Sequence, residues 1–435
     1  MAAYNAVSFS GIFLLIFIAW LFSSDKRNIN WRVIVWGVLI QLAIAVFVFV
    51  VPAGTKFFLF LNSAAIKVLG SASAGARFVF GRLALSPGEA GEAGETSLGF
   101  ILAFQAFPAI IFFSSLISIL YYCNIMQWVI RGFAYLFTKL MRVSGAESLV
   151  TASNIFAGVE SALTVRPYLA KMTRSELCVV LTAGMATVSS NILALYVFSL
   201  KAQLPAIAGH LISASLLSAP AALVMAKVIL PEREIPETLG VHIHPYYERE
   251  SSFFEAVING ANQGLKMIAG IVALLIAVLG LVSLFELVLA AVGNRMNLAF
   301  GWHVGWSLKE MLGYVFYPLT LLIGVPPVDA GVISRIIAER SVVTEVVAYR
   351  DLAEAIGKGL LVHPRSAVIA VYALCGFAHL ASMAIFVGGT AALAPEKTKA
   401  IASVALRALV AATLACLMTA CVAGTFFSKA SILFG

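Results

Sequence analysis

Two carboxylates stand where carboxylates are costly. Glu160 lies in Asn154-Ile155-Phe156-Ala157-Gly158-Val159-Glu160-Ser161, and Glu345 in Val342-Val343-Thr344-Glu345-Val346-Val347. Both stretches are apolar enough to enter a bilayer, where a charged side chain costs roughly 2.5–3.5 kcal/mol on insertion scales. Each acid either snorkels to the interface or lines a wetted tip, and Gly158 and Ser161 favour an unwound tip at Glu160. Two polar patches also interrupt apolar runs. In Thr187-Val188-Ser189-Ser190-Asn191 the hydroxyls either back-bond to helix carbonyls or join the carbonyls of an unwound turn as the hard oxygen ligands that suit Na+. In Gly376-Phe377-Ala378-His379-Leu380-Ala381-Ser382 the His precedes Ser382 by three residues, so the two share a helix face. Such a His is either a satisfied structural residue or a group that bonds a solute and titrates near neutral pH.

The elements that hold these residues follow from composition. The 435-residue chain is 61% hydrophobic and 11% charged, with a mean hydropathy of +0.98. A soluble chain is about a quarter charged, so these values exclude a soluble enzyme, a nucleic-acid binder and a disordered chain. They indicate an all-α polytopic membrane protein. The net charge of +8 comes from dispersed Lys and Arg, with no basic patch for nucleic acid. Cys123, Cys178, Cys375, Cys416 and Cys421 lack metal-ligand spacing and read as small core residues. His242 and His244 lack a third ligand. Lys266 and Arg407, near span ends, read as snorkelling cations. No nucleophile elbow, phosphate loop or dinucleotide fingerprint occurs, which points away from an enzyme, an organic cofactor and ATP-driven transport.

Apolar runs predict eight spans, at 7–23, 33–51, 98–122, 177–200, 204–230, 256–292, 366–394 and 401–427, with interfacial helices over 56–82 and 125–142. The first run has no basic leader, so it is kept as a span. Asp25-Lys26-Arg27, Arg32, Lys397 and Lys399 put their loops inside, leaving both termini outside. The stretches 145–170 and 327–357 carry Glu160 and Glu345; reading either as one more span would reverse every later loop. Each is expected to be a re-entrant hairpin, the first opening inside and the second outside. Residues 1–97 form an N-terminal unit, 98–230 a first repeat, 231–251 a polar linker and 252–435 a second repeat. Inverted repeats of hairpin, interrupted span and last span are the signature of a secondary transporter that binds its solute near the midplane.

At these residues the chain resembles the concentrative nucleoside transporter family. The resemblance runs from about residue 75 to the C-terminus. It is carried by Pro108-Ala109-Ile110-Ile111-Phe112-Phe113, by Thr151-Ala152-Ser153-Asn154-Ile155-Phe156 through Val165-Arg166-Pro167-Tyr168, by Ser218-Ala219-Pro220 with Pro231-Glu232, and by Tyr372-Ala373-Leu374-Cys375-Gly376-Phe377-Ala378 with the run 407–424. It implies a lipid-embedded homotrimer in a bacterial cytoplasmic membrane or equivalent plasma membrane. In each protomer a transport domain of hairpins and interrupted spans moves like an elevator against a scaffold that includes 1–97. It implies nucleoside uptake driven by Na+, or by H+ in some members, with Na+ at Asn154, Ala157, Thr187 and Val188. It also implies a solute site at Val159, Glu160, Ser161, Glu345, Phe377, His379 and Ser382, with Glu160 toward the base and Glu345 toward the sugar. The family's first hairpin usually reads Gly-Gln-Thr-Glu; here Gly158-Val159-Glu160 loses the amide that can both donate to and accept from a base. The family's Asn in the interrupted span is His379. A nucleobase, a modified nucleoside or a nucleotide-like solute, with H+ through His379, is the alternative on these departures, and a non-transporting membrane sensor is the alternative of another class.

Overall fold

The computed structural model describes residues 2–86, 89–90, 94–247, 250–301 and 305–428. Part of the expected external loop 86–97, at 87–88 and 91–93, lies outside them, as do 248–249 of the linker and 429–435. Among the described residues there is no strand, only the isolated bridges Ala90–Thr96 and Ser144–Leu239. Helices α1 (Ala2–Leu21), α2 (Trp31–Phe49) and α3 (Pro52–Phe80) open the chain. The first repeat comprises α4 (Leu102–Gln105), α5 (Phe107–Tyr122), α6 (Ile125–Met141), α7 (Gly145–Asn154), a 3-10 segment (Val159–Val165), α8 (Arg166–Leu169), α9 (Arg174–Ala186), α10 (Ser190–Leu200) and α11 (Ile207–Ile229). The second comprises α12 (Phe253–Phe300), α13 (Leu308–Leu322), α14 (Pro327–Val342), α15 (Glu345–Gly357), α16 (Pro364–Leu374), α17 (Leu380–Leu393) and α18 (Thr398–Thr425). Long span, amphipathic helix, hairpin, broken span and last span thus recur in the same order.

Polar residues inside the apolar sequence set the boundaries. Ser144 and Glu147 form a capping box that starts α7, Thr173 and Glu176 one that starts α9, and His379 and Ser382 one that starts α17. Helix α6 buries Met126, Ile130, Ala134, Phe137 and Met141, one stripe at helical spacing, as its amphipathic sequence requires.

Among the described residues, eight helical stretches are long and apolar enough to cross a bilayer, one of them the α9–α10 stretch Arg174–Leu200. Seven coincide with expected spans. The eighth is α3, read from sequence as interfacial, which runs 29 residues without a break. The expected span 366–394 drops out of that count because the opening between α16 and α17, residues 375–379, is longer than the one at 187–189 between α9 and α10, leaving two short helices. Two further readings change. The returning arm of the first hairpin is largely 3-10 rather than α, ending where Pro167 withholds a backbone donor. Cys123 is exposed, while the other four cysteines are buried.

Both hairpins enter and leave on one side. Gly145 donates its N–H to Thr238 O (2.8 Å) and Tyr246 to Thr164 O (2.9 Å), so both arms of the first meet the polar linker. At the second, the Asp329 carboxylate accepts from Val362 N–H (2.8 Å), His363 N–H (3.0 Å) and the Ser366 hydroxyl (2.5 Å), closing the start of α14 onto the chain that leaves α15. The two mouths lie at opposite ends of α1. The linker joins the first loop through Arg233–Asp25 (3.1 Å) and Ser24 N–H to Ile229 O (2.9 Å). Arg365 gathers Tyr4 O (2.9 Å), Ser8 Oγ (2.6 Å) and Gly324 O (2.9 Å), and Asn5 donates to Phe427 O (3.0 Å). A 20-residue helix spans about 30 Å, the thickness of the hydrocarbon core.

The first hairpin is anchored by a buried ion cluster. Lys227 (7% exposed) pairs with Glu147 (1% exposed) and Glu232 (3.1 Å), and donates to Ser175 Oγ (3.0 Å). Removing one member of a buried pair strands the other charge and costs about 3–5 kcal/mol. Lys227→Met is therefore expected to lower the thermal midpoint in detergent sharply; an unchanged midpoint would contradict this anchoring role.

Candidate functional site

The breaks in α9–α10 and α16–α17 bring the polar patches together. Gly376 lies where the two breaks cross: a Cβ there would fall 2.5 Å from Cys416 Sγ and 2.7 Å from Met185 O, so only glycine fits. The first hairpin's tip leans on the first break, with Ser190 N–H donating to Phe156 O (3.0 Å).

Glu345 opens α15 at the tip of the second hairpin and is 4% exposed. One of its oxygens accepts from Tyr196 Oη (2.8 Å), on α10, and the other lies 2.8 Å from His379 Nε2, at the start of α17. The acid thus meets side chains from the broken spans of both repeats. His379 Nδ1 accepts Ser382 N–H (3.2 Å), so the neutral ring carries its proton on Nε2, facing Glu345. The Ser382 hydroxyl bonds to Phe377 O and to His379 O (2.8 Å), which commits it to its own break. Tyr196 packs against Tyr349, with ring centroids 4.5 Å apart and the rings tilted by 33°.

Glu160 faces a different space. Its Oε2 accepts Gly158 N–H (3.1 Å), and it lines a cavity of about 450 Å³, a volume that suits a small-molecule ligand. Ala157 and Asn191 line it too. Its far wall is a polar stripe on α12: Asn259, Asn262, Gln263 and Lys266, at the i, i+3, i+4, i+7 positions of one helix face. Lys266, read as snorkelling, faces this cavity instead. Of the expected solute residues only Glu160 lines it; Val159 packs toward Gly389, Ser161 and Phe377 are buried, and Glu345, His379 and Ser382 form the separate buried cluster. The expected single pocket between the two acids is thus, in this conformation, a cavity at one and a closed cluster at the other. Asn191 and Tyr196, five residues apart on α10, link them.

The four residues expected to hold Na+ meet at the first tip and break. Asn154 Nδ2 donates to Val150 O (2.9 Å), leaving Oδ1 buried without a donor among the described residues. Thr187 Oγ1 donates to Ala183 O (2.8 Å) and keeps its lone pairs. Neighbouring carbonyls at Ile155 and Val188 turn toward Ser215 Oγ (2.7 and 3.4 Å). A buried amide oxygen, a hydroxyl and backbone carbonyls with no opposing cation fit a hard monovalent cation. No group of three or more His, Cys, Asp or Glu fit for another metal occurs among the described residues, and His242 instead stacks on Tyr135 at 4.7 Å.

Sequence reasoning missed Tyr196, an ordinary aromatic in an apolar run, and the α12 stripe, whose spacing was a readable signal.

The comparisons with known proteins agree along the chain. Family models described as Na+ dependent nucleoside transporter N-terminus and C-terminus match residues 10–83 and 210–424, and one described as nucleoside recognition matches 103–203. Nucleoside permease NupC of Helicobacter pylori is 37% identical, over 96% of this chain and 96% of that protein. Solute carrier family 28 member 3 of Mus musculus is 35% identical over 97% of this chain, which spans only 58% of that relative's length. Among solved structures, CNTnw in an inward-facing substrate-bound state superposes with a TM-score of 0.85 at 33% identity, covering 98% of both chains. A substituted form of CNTnw in an outward-facing state gives 0.87 at 32%, covering 98% of this chain and 99% of that one. With hairpins, broken spans and identity shared over nearly its full length, this integral membrane chain belongs to the Na+-dependent nucleoside transporter family.

Proposed function

We propose that the protein is a cation-coupled secondary transporter that imports nucleosides or nucleoside-like solutes by an elevator-type movement of the hairpins and broken spans. The observation that carries this reading is Glu345: a buried hairpin-tip acid held by Tyr196 of one broken span and His379 of the other. A carboxylate placed there accepts hydroxyl donors of a sugar when its two present donors yield. Glu160, at the wall of the 450 Å³ cavity, takes the base end. Na+ at Asn154, Ala157, Thr187 and Val188 is the coupling ion. The free amide oxygen of Asn154 supports it over H+ through His379, whose ring nitrogens both have partners. The linker face is the cytoplasmic one, and both termini lie outside. The assembly is a homotrimer in lipid, a reading supported by the wholly unburied apolar window of α12.

The test is uptake of uridine and adenosine into proteoliposomes with and without an inward Na+ gradient. The gradient is expected to accelerate uptake of at least one of them. Equal, gradient-independent fluxes would reject the coupling, and binding without flux would favour a sensor.

A further inference from the structure

The two breaks differ in one respect. Where a span stops halfway, its last four carbonyls have no partner in the helix and carry the negative end of its dipole. At the end of α9 the donors are neutral: Thr187 Oγ1 to Ala183 O (2.8 Å) and Cys416 Sγ to Ala186 O (3.7 Å). At the end of α16 both arms of the second hairpin send in a side chain. Tyr349 Oη, from α15, donates to Val371 O (2.9 Å), and Arg340 Nη1, from the last turn of α14, donates to Ala373 O (2.8 Å). Arg340 is fully buried. Among the described residues no carboxylate pairs with it, its Nε and Nη2 have no hydrogen-bond acceptor, and Cys416, Cys375 and Tyr349 are its neighbours. Burying a guanidinium without a counter-anion is unfavourable, so the arrangement needs a compensating partner, and the hydrogen-bonded one in place among the described residues is the buried carbonyl end of α16, at Ala373 O.

The repeats align the two places. In the first repeat α7 ends at Asn154, and Ser215 of the last span bonds both Ile155 O beside it and Val188 O of the break; in the second, the corresponding parts α14, the end of α16 and Cys416 of α18 meet around Arg340. We propose that Arg340 is a resident cation, a positioning residue that holds the second break as a carried cation holds the first, and so keeps His379 aligned on Glu345. This rests on the reading of the first break as the Na+ site, and it leaves each protomer one exchangeable cation rather than two.

The experiment compares wild type, Arg340→Lys and Arg340→Gln in proteoliposomes, measuring the Na+ activation curve, the nucleoside KM and the charge moved per nucleoside. Wild type is expected to move one charge per nucleoside, with a hyperbolic Na+ curve. Arg340→Gln is expected to weaken nucleoside binding by about tenfold or more while the half-saturating Na+ concentration changes by less than about threefold. Arg340→Lys, which keeps the charge but not the fork, should recover most of the loss. Two charges per nucleoside in wild type, a Lys variant as poor as Gln, or a Gln variant equal to wild type would each overturn the proposal. The charge measurement on wild type decides even if Arg340→Gln does not fold. If wild-type uptake ignores Na+, the first-break reading fails. Nucleoside binding by the Lys and Gln variants, read by thermal shift, still tests the role of Arg340 by itself.

Discussion

Glu345→Gln is expected to abolish nucleoside uptake while the protein still folds and assembles. The substitution preserves size, so the hairpin tip keeps its packing. It removes the charge that Tyr196 and His379 approach, and it turns one acceptor oxygen into an N–H donor. His379 cannot rotate its roles to suit: Nδ1 receives Ser382 N–H, so Nε2 presents its own proton toward position 345. The amide can turn its oxygen to His379 and its NH2 to the Tyr196 hydroxyl, which can accept, so the local bonds survive; what is lost is the negative charge and one acceptor for a sugar hydroxyl. Hydrogen bonds to a charged group contribute about 1.5–3 kcal/mol each. Losing a carboxylate's bonds to two sugar hydroxyls implies a fall in uptake of roughly a hundredfold or more, each 1.36 kcal/mol being tenfold. The checks are initial uptake rates together with an unchanged elution profile. Transport at the wild-type rate would remove Glu345 from the solute site.

The second large effect concerns the cation. Asn154→Ala deletes a buried amide oxygen that has no donor of its own among the described residues. The side chain's Nδ2 bond to Val150 O lies within its own helix, so α7 should survive. The half-saturating Na+ concentration is expected to rise by about tenfold, equivalent to about 1.4 kcal/mol, while nucleoside affinity at saturating Na+ stays close to wild type. Sodium activation curves measured at fixed nucleoside check it. A variant whose Na+ curve is unmoved would place the ion elsewhere.

Much of the architecture was legible in the chain. Hydroxyl, Gly and His residues inside apolar runs marked both breaks, because several polar groups clustered in one apolar run favour an opened turn over an unbroken helix, and the carboxylates at 160 and 345 marked both hairpins. Helix α3 was harder: its scattered Lys and Ser residues suggest an interfacial helix, yet the same sequence runs as one long helix. What could not be read is which groups meet. Tyr196 and Glu345 lie 149 residues apart in the chain, and no periodicity pairs them. Nor does a sequence say that Glu160 faces a cavity while Glu345 is sealed by its own donors; that depends on how the hairpins are seated. The α12 stripe is the instructive miss. Four polar residues at i, i+3, i+4 and i+7 in so apolar a helix define a wet face, and counting them would have found the wall opposite Glu160.

The bond from Asn5 to Phe427 brings the two ends of the described chain to one spot on the membrane face away from the 231–251 segment. Residues near both ends of the described chain are therefore neighbours. A circular permutant that bridges these ends and is cut in 231–251 between the residues that bond the first hairpin leaves the contacts of both repeats in place, yet inserts them in swapped order and moves its ends to the other side of the bilayer. Whether it still assembles asks if the order of biosynthesis matters to a molecule whose finished geometry is indifferent to it.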